Sequence, residues 1–141
     1  MALAMSKAER EAFLADVHIG VLSVSSAGRG PLSAPVWYSY HPGGDVIILT
    51  GANAPKTRMM VEQGRATLVA QSEKATYAYV TVEGPVSLET PGAADSLKMA
   101  VRYLGEEMGQ RYADSSGGDG SLKARLTPER WRSEDYRKMS L

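Results

Sequence analysis

Tyr77-Ala-Tyr-Val-Thr-Val-Glu-Gly84-Pro85-Val-Ser-Leu-Glu-Thr90 is a long β-rich run broken at one point. Proline cannot donate to a ladder and glycine tolerates dihedrals closed to other residues, so Gly84-Pro85 marks a bulge or sheet corner at which the strand can bend. Combined with four or five other strands, such bending predicts a small barrel rather than a flat sheet.

Toward the N-terminus, residues 65–72 read as another strand, preceded by a short helix over 54–63. Asn53-Ala-Pro55 supplies a cap and a first-turn proline, and Gly64 supplies the stop. Val46-Ile-Ile-Leu-Thr50 shows too little alternation for a solvent face and is expected to be central. Residues 18–25 and 32–40, separated by Ala27-Gly-Arg-Gly-Pro31, read as a hairpin. Ser6-Lys-Ala-Glu9 is a capping-box pattern that predicts a helix over 6–17, with Ala8, Ala12, Phe13 and Val17 forming its docking face. Toward the C-terminus, Pro91-Gly92 ends the β region. Leu97, Val101, Leu104 and Met108 then predict an amphipathic helix over 94–110. Residues 114–121 are expected to form a mobile loop, 122–127 a sixth strand, and the remainder to 141 a turn and polar tail. All 141 residues read as a single domain of mainly β, α+β class.

Sixteen basic residues balance sixteen acidic ones, so no global field concentrates nucleic acid. The balance also holds locally, with seven basic against eight acidic residues in 1–90 and nine against eight in 91–141. No stretch approaches the roughly 18 apolar residues needed to span a bilayer, and the N-terminus lacks the apolar core of a signal peptide. These features predict a cytoplasmic protein without a membrane or nucleic-acid partner. The absence of cysteine removes thiolate catalysis, Cys-zinc sites and disulfides. The two histidines, His18 and His41, form no metal-ligand or triad pattern, so no metal site is expected and no catalytic residue is assigned.

Two constellations could carry a ligand. Thr50-Gly-Ala-Asn-Ala-Pro-Lys56-Thr57-Arg58 leads from a strand into a helix whose first turn offers N–H groups, a hydroxyl and two cations, a set suited to an anion. The same cations also suit the solvated face of a short helix, although there they oppose its dipole. Ser33-Ala-Pro35-Val36-Trp37-Tyr38-Ser39-Tyr40 places Pro35 at an edge or bulge beside aromatic side chains. These could stack on a planar ligand or serve as core or dimer contacts. Tyr77, Tyr79, Tyr103 and Tyr112 carry the same two readings.

The order of Ile19-Gly-Val-Leu-Ser-Val, Pro35-Val-Trp-Tyr, the Gly-Gly-Asp45 turn, Val46-Ile-Ile-Leu-Thr50, Lys56-Thr-Arg-Met-Met, Arg65-Ala-Thr-Leu-Val and the run through Gly84 resembles the pyridoxamine 5′-phosphate oxidase-like proteins. Within them it is similar to the actinobacterial flavin/deazaflavin oxidoreductase group B. The resemblance is strong over residues 6–90 and loose beyond. It implies a six-stranded FMN-binding split β-barrel with a few peripheral helices, assembled as a homodimer with two cofactor sites at the subunit interface. It further implies an oxidoreductase that passes hydride from reduced coenzyme F420, a deazaflavin, to a conjugated small-molecule acceptor such as a quinone, enone or tetrapyrrole. An FMN-dependent oxidoreductase of the same fold, or a non-catalytic protein that binds a flavin, a deazaflavin or an apolar ligand, is the alternative. By the same resemblance Lys56 and Thr57, helped by Arg58, hold the cofactor phosphate. Ser33, Pro35, Val36 and Trp37 lie along the ring, with Thr50 near the ring or ribityl chain and Tyr79 in the same set. The family's FMN-dependent oxidases carry Arg-x-x-x-Leu-Lys where this chain has Leu32-Ser-Ala-Pro-Val-Trp, and Ser-Arg-Lys where it has Pro-Lys-Thr, which favours the deazaflavin. Arg130 and Trp131 are expected at the surface.

Overall fold

The computed structural model describes residues 2–116 and 120–140. Helix α1 (Lys7–Ala15) leads into strands β1 (Gly20–Val24), β2 (Leu32–Val36) and β3 (Val46–Gly51). Helix α2 (Pro55–Gln63) is followed by β4 (Arg65–Ser72) and β5 (Ala78–Glu89), then by α3 (Asp95–Leu104), α4 (Glu106–Ser116), β6 (Ser121–Leu126) and β7 (Arg130–Asp135). The strands form one antiparallel sheet in the order β2-β1-β4-β5-β6-β3, with β7 on the other side of β5.

Strand β5 makes the sheet a barrel. Residues 78–85 pair with β4 and residues 78–83 with β7, whereas 86–89 pair with β6, so the strand changes partners at Gly84-Pro85. A Cβ on Gly84 would lie 1.8 Å from the Thr127 carbonyl oxygen, which is why only glycine fits this corner. The curled sheet closes through one bridge, where Ser39 and Ile47 exchange backbone hydrogen bonds of 3.0 and 2.9 Å. The result is a split β-barrel. Its interior is filled by the inward residues of each strand, among them Leu22, Val24, Ile48, Leu68, Val80, Val82 and Leu126, each stabilising the fold by about 1.5–3 kcal/mol.

The capping box of α1 forms as the sequence predicts: Ser6 Oγ accepts from the Glu9 N–H and Glu9 Oε1 from the Ser6 N–H. The buried face is Phe13 and Leu14, however; Ala8 and Ala12 lie on the exposed side, and Val17 falls beyond the helix, which stops at Ala15. The helix expected over 94–110 is two helices. Gly105 adopts φ 84°, a conformation L-residues avoid, and ends α3. Helix α4 then folds back so closely that a Cβ on Gly109 would lie 2.7 Å from Val101 Cα. Leu97, Val101 and Leu104 are consequently only half-buried, Met108 is exposed, and Met99 and Ala100 are the buried residues of α3.

Three further expectations are corrected. Strand β3 pairs only with β6 and the single bridge, so it closes the barrel rather than lying centrally; Ile47 and Leu49 are half-buried because α3 lies over their face. The expected polar tail contains a seventh strand, β7, whose partly polar sequence hides its alternation. Of the loop expected over 114–121, residues 114–116 continue α4 and Ser121 opens β6, while 117–119 lie outside the described residues.

Candidate functional site

The β3–α2 connection is held by two buried hydroxyls. Thr57 Oγ1 donates to the Gly51 carbonyl at 2.6 Å and therefore accepts from Thr50 Oγ1 at 2.8 Å. Thr50 and Thr57 are only 4% and 1% exposed, so both shape the turn from beneath it. The Thr57 N–H bonds the Ala54 carbonyl at 3.0 Å and Pro55 has no N–H, which leaves the Lys56 N–H as the donor of this first turn without a protein acceptor among the described residues.

Helix α2 has no acidic residue in its first turn and no side-chain cap, yet the Lys56 ammonium and the Arg58 guanidinium stand there with no hydrogen bond or ion pair among the described residues, although the Arg58 N–H bonds the Ala54 carbonyl at 3.1 Å. Cations at this end of a helix oppose its dipole, a conflict an anion would relieve. Arg58 lines a cleft of about 380 Å³ with Pro55, Met59, Ser33, Leu32 and the β1–β2 turn, including Arg29. Arg29 is a cleft-lining cation that the sequence reading did not single out: it lies 29 positions from Arg58, in a turn bounded by Gly28 and Gly30, and only folding brings it to α2.

Strand β2 ends the sheet path, so Pro35 sits on an edge strand, where its missing N–H costs no ladder bond. Ser33 and Pro35 are exposed, and the Ser33 hydroxyl meets that of Ser23 at 2.8 Å. Val36 points into the core, leaving its backbone as the part available to a ligand. Trp37 is half-buried and stacks on Tyr103 at 4.9 Å and 7°, with Tyr112 tilted at 5.2 Å. Tyr38 is fully buried, its hydroxyl donating to the Leu14 carbonyl at 2.8 Å, and burial pushes its phenol well above the ordinary tyrosine range. It is a neutral core residue whose hydroxyl is engaged by the Leu14 carbonyl.

Tyr79 is half-buried on the outer face of β5, in register with Gln71 and Glu134. The same face carries Val21, Val69, Pro35 and Thr81 in one cross-strand row, and Ile19 and Val21 are 51% and 40% exposed. Arg130 is exposed, as expected. Trp131 is half-buried against the core, beneath the Arg10 guanidinium at 4.7 Å and edge-on to Tyr40. Among the described residues no cluster of three His, Asp or Glu side chains could hold a metal, and no helix is long and apolar enough to cross a membrane.

Residues 6–135 match the family model described as pyridoxamine 5′-phosphate oxidase. Among curated proteins no sequence match is found. Of solved structures, a conserved hypothetical protein, Rv2991 from Mycobacterium tuberculosis, superposes with a TM-score of 0.77 at 20% identity, over 100% of this chain and 95% of that one. A structure named F420 reductase matches with a TM-score of 0.72 at 18% identity, over 86% and 94% of the two chains. An FAD- and heme-binding protein from Mycobacterium smegmatis matches with a TM-score of 0.69 at 13% identity, over 94% and 73%. At these identities the likeness is one of fold.

Proposed function

The chain belongs to the pyridoxamine 5′-phosphate oxidase family, and from that premise we propose that it is an oxidoreductase that binds the deazaflavin coenzyme F420. The observation that carries this reading is the pair of unpartnered cations, Lys56 and Arg58, at the start of α2 beside the cleft that Arg29 shares. A phosphate supplies the missing countercharge, so the donor set fits the group. Lys56, its N–H, Arg58 and Arg29 would hold that phosphate, and Thr50 and Thr57 would fix the turn that presents them. The edge segment from Ser33 to Trp37, with Tyr79 on the outer face, would lie along the ring. A solved structure named F420 reductase shares the fold, which is compatible with a deazaflavin, and the preference over FMN rests on Leu32-Ser-Ala-Pro-Val-Trp37 and Pro55-Lys-Thr57 in place of the motifs of the family's FMN-dependent oxidases.

When bound, the cofactor supplies the hydride chemistry. The chain's own residues bind, orient and exclude water, which is consistent with the lack of any paired acid and base around the cleft. The largely apolar cross-strand row of Pro35, Val21 and Val69, with the exposed Ile19 just before β1, supports a homodimer whose second subunit covers this face and completes the cofactor site. The substrate we propose is a conjugated small-molecule acceptor of the quinone, enone or tetrapyrrole class.

Anaerobic assays with chemically reduced F420 and such acceptors test the reading. Protein-dependent return of the oxidised cofactor's absorbance is expected with at least one acceptor class. Tight cofactor binding without turnover across all of them would replace the enzyme with a binding protein, and turnover with reduced FMN alone would replace the cofactor.

A further inference from the structure

A second cavity, of about 370 Å³, lies between α3 and the outer side of β3 and shares no lining residue with the cleft at Arg29 and Arg58. Ile47, Leu49 and Met99 give it apolar walls, while Lys98, Arg102 and Lys123 face a single acid, Asp95. The cations have unequal freedom. Arg102 is fixed by the Tyr38, Ala15 and Asp16 carbonyls at 2.9, 3.1 and 3.0 Å, which orient its guanidinium without cancelling its charge. Lys123 and Asp95, 17% and 23% exposed, share an ion pair of 3.3 Å, and Asp95 also accepts the Gly92 N–H at 2.6 Å. The Lys98 ammonium and the His41 ring make no hydrogen bond or ion pair among the described residues, and Lys98 reaches Asp95 only through space.

The cavity therefore holds an excess of positive charge beside an apolar surface, and its volume lies within the range of small-molecule sites, about 300–1,000 Å³. An inorganic anion would satisfy the charge and leave the half-buried Ile47 and Leu49 uncovered, whereas a neutral apolar molecule would displace water from Lys98 without supplying a countercharge. We propose that this cavity binds a small organic monoanion, a carboxylate on a compact apolar body, with Lys98 as its principal counter-ion and the Ile47–Leu49–Met99 wall as its apolar seat. Binding here is independent of the cofactor cleft, although Ile47 and Leu49 lie on β3, the strand that also carries Thr50.

The test is a fluorescence titration of the full chain with 2-naphthoate, alongside its uncharged analogue 2-naphthamide. Saturable binding of one naphthoate per chain is expected, with 2-naphthamide and the Lys98→Glu variant each weaker by about tenfold or more. Lys98 is exposed on α3, so its replacement is expected to leave the fold intact; near-UV circular dichroism checks this, and Lys98→Gln serves as the milder variant. Arg58→Glu, in the other cleft, is expected to bind naphthoate as the unmodified chain does. Failure to saturate by millimolar naphthoate, equal affinity in both Lys98 variants, or loss of binding in Arg58→Glu would each overturn the proposal. The last result would move the anion to the cofactor cleft.

Discussion

Asp135 shows how one side chain ties the end of the chain to the barrel. Its carboxylate accepts from Arg137 Nε at 2.8 Å and Nη2 at 3.1 Å, and from the Arg137 N–H at 3.0 Å, while its own N–H bonds the Leu3 carbonyl at 2.7 Å. The Arg137 hydrogen bond holds the Asp135 pKa below the ordinary carboxylate value of 3.8 against the opposing effect of burial. A carboxylate depressed in the folded state contributes stability that is present above its unfolded pKa and is lost as the pH falls through the folded one. Urea denaturation should therefore show stability falling on acidification below about pH 4, and Asp135→Asn should flatten that decline while lowering stability at neutral pH. An unchanged acid slope in the variant would remove this role. Thr57 teaches a related lesson for the site: its type and spacing were legible in the sequence, but its burial and its bond to the Gly51 carbonyl were not.

At the scale of elements, the corner of β5 is the feature on which the barrel depends. Gly84→Ala places a methyl against the Thr127 carbonyl, so either the β5 corner or the segment after β6 must move. We expect a loss of about 2–4 kcal/mol, measured by urea denaturation, whereas Gly30→Ala, in open space, should change stability by less than about 1 kcal/mol. Equal stability of the two variants would contradict the corner's role. This corner was legible because Gly-Pro within a β-rich run admits few other readings, and the punctuation of α2 by Pro55 and Gly64 was equally plain. The break at Gly105 was not, because Leu97, Val101, Leu104 and Met108 keep helical spacing straight across it. Strand β7 was missed because Ser133 and Asp135 share its alternation with only Trp131, a pattern no hydrophobic period reveals. Arg29 escaped notice for a third reason: its proximity to α2 is a product of the hairpin, not of local sequence.

For the whole molecule, one outer face of the sheet remains uncovered in the single chain. Val21, between the exposed Pro35 and the half-buried Val69, and Ile19 just before β1 expose apolar surface, an arrangement suited to a second copy of the chain. Light scattering with size-exclusion chromatography should give twice the chain mass, and Val21→Asp should shift the population to monomer, because an aspartate in the cross-strand row would be buried unpaired. A Val21→Asp variant that stayed dimeric would place the interface elsewhere. Loss of the dimer should also weaken cofactor binding, since the second subunit completes the site in the proposed assembly.

The central claim, that the start of α2 holds the phosphate of a deazaflavin, is tested most directly by equilibrium fluorescence titration with F420 and with FMN at equal ionic strength. The unmodified chain and Lys56→Ala are compared, with Arg58→Ala in parallel. F420 should bind more tightly than FMN, and Lys56→Ala should weaken F420 binding by about 1.5–3 kcal/mol, roughly ten- to a hundredfold. Binding of neither cofactor, or full-strength F420 binding by both variants, would contradict the claim.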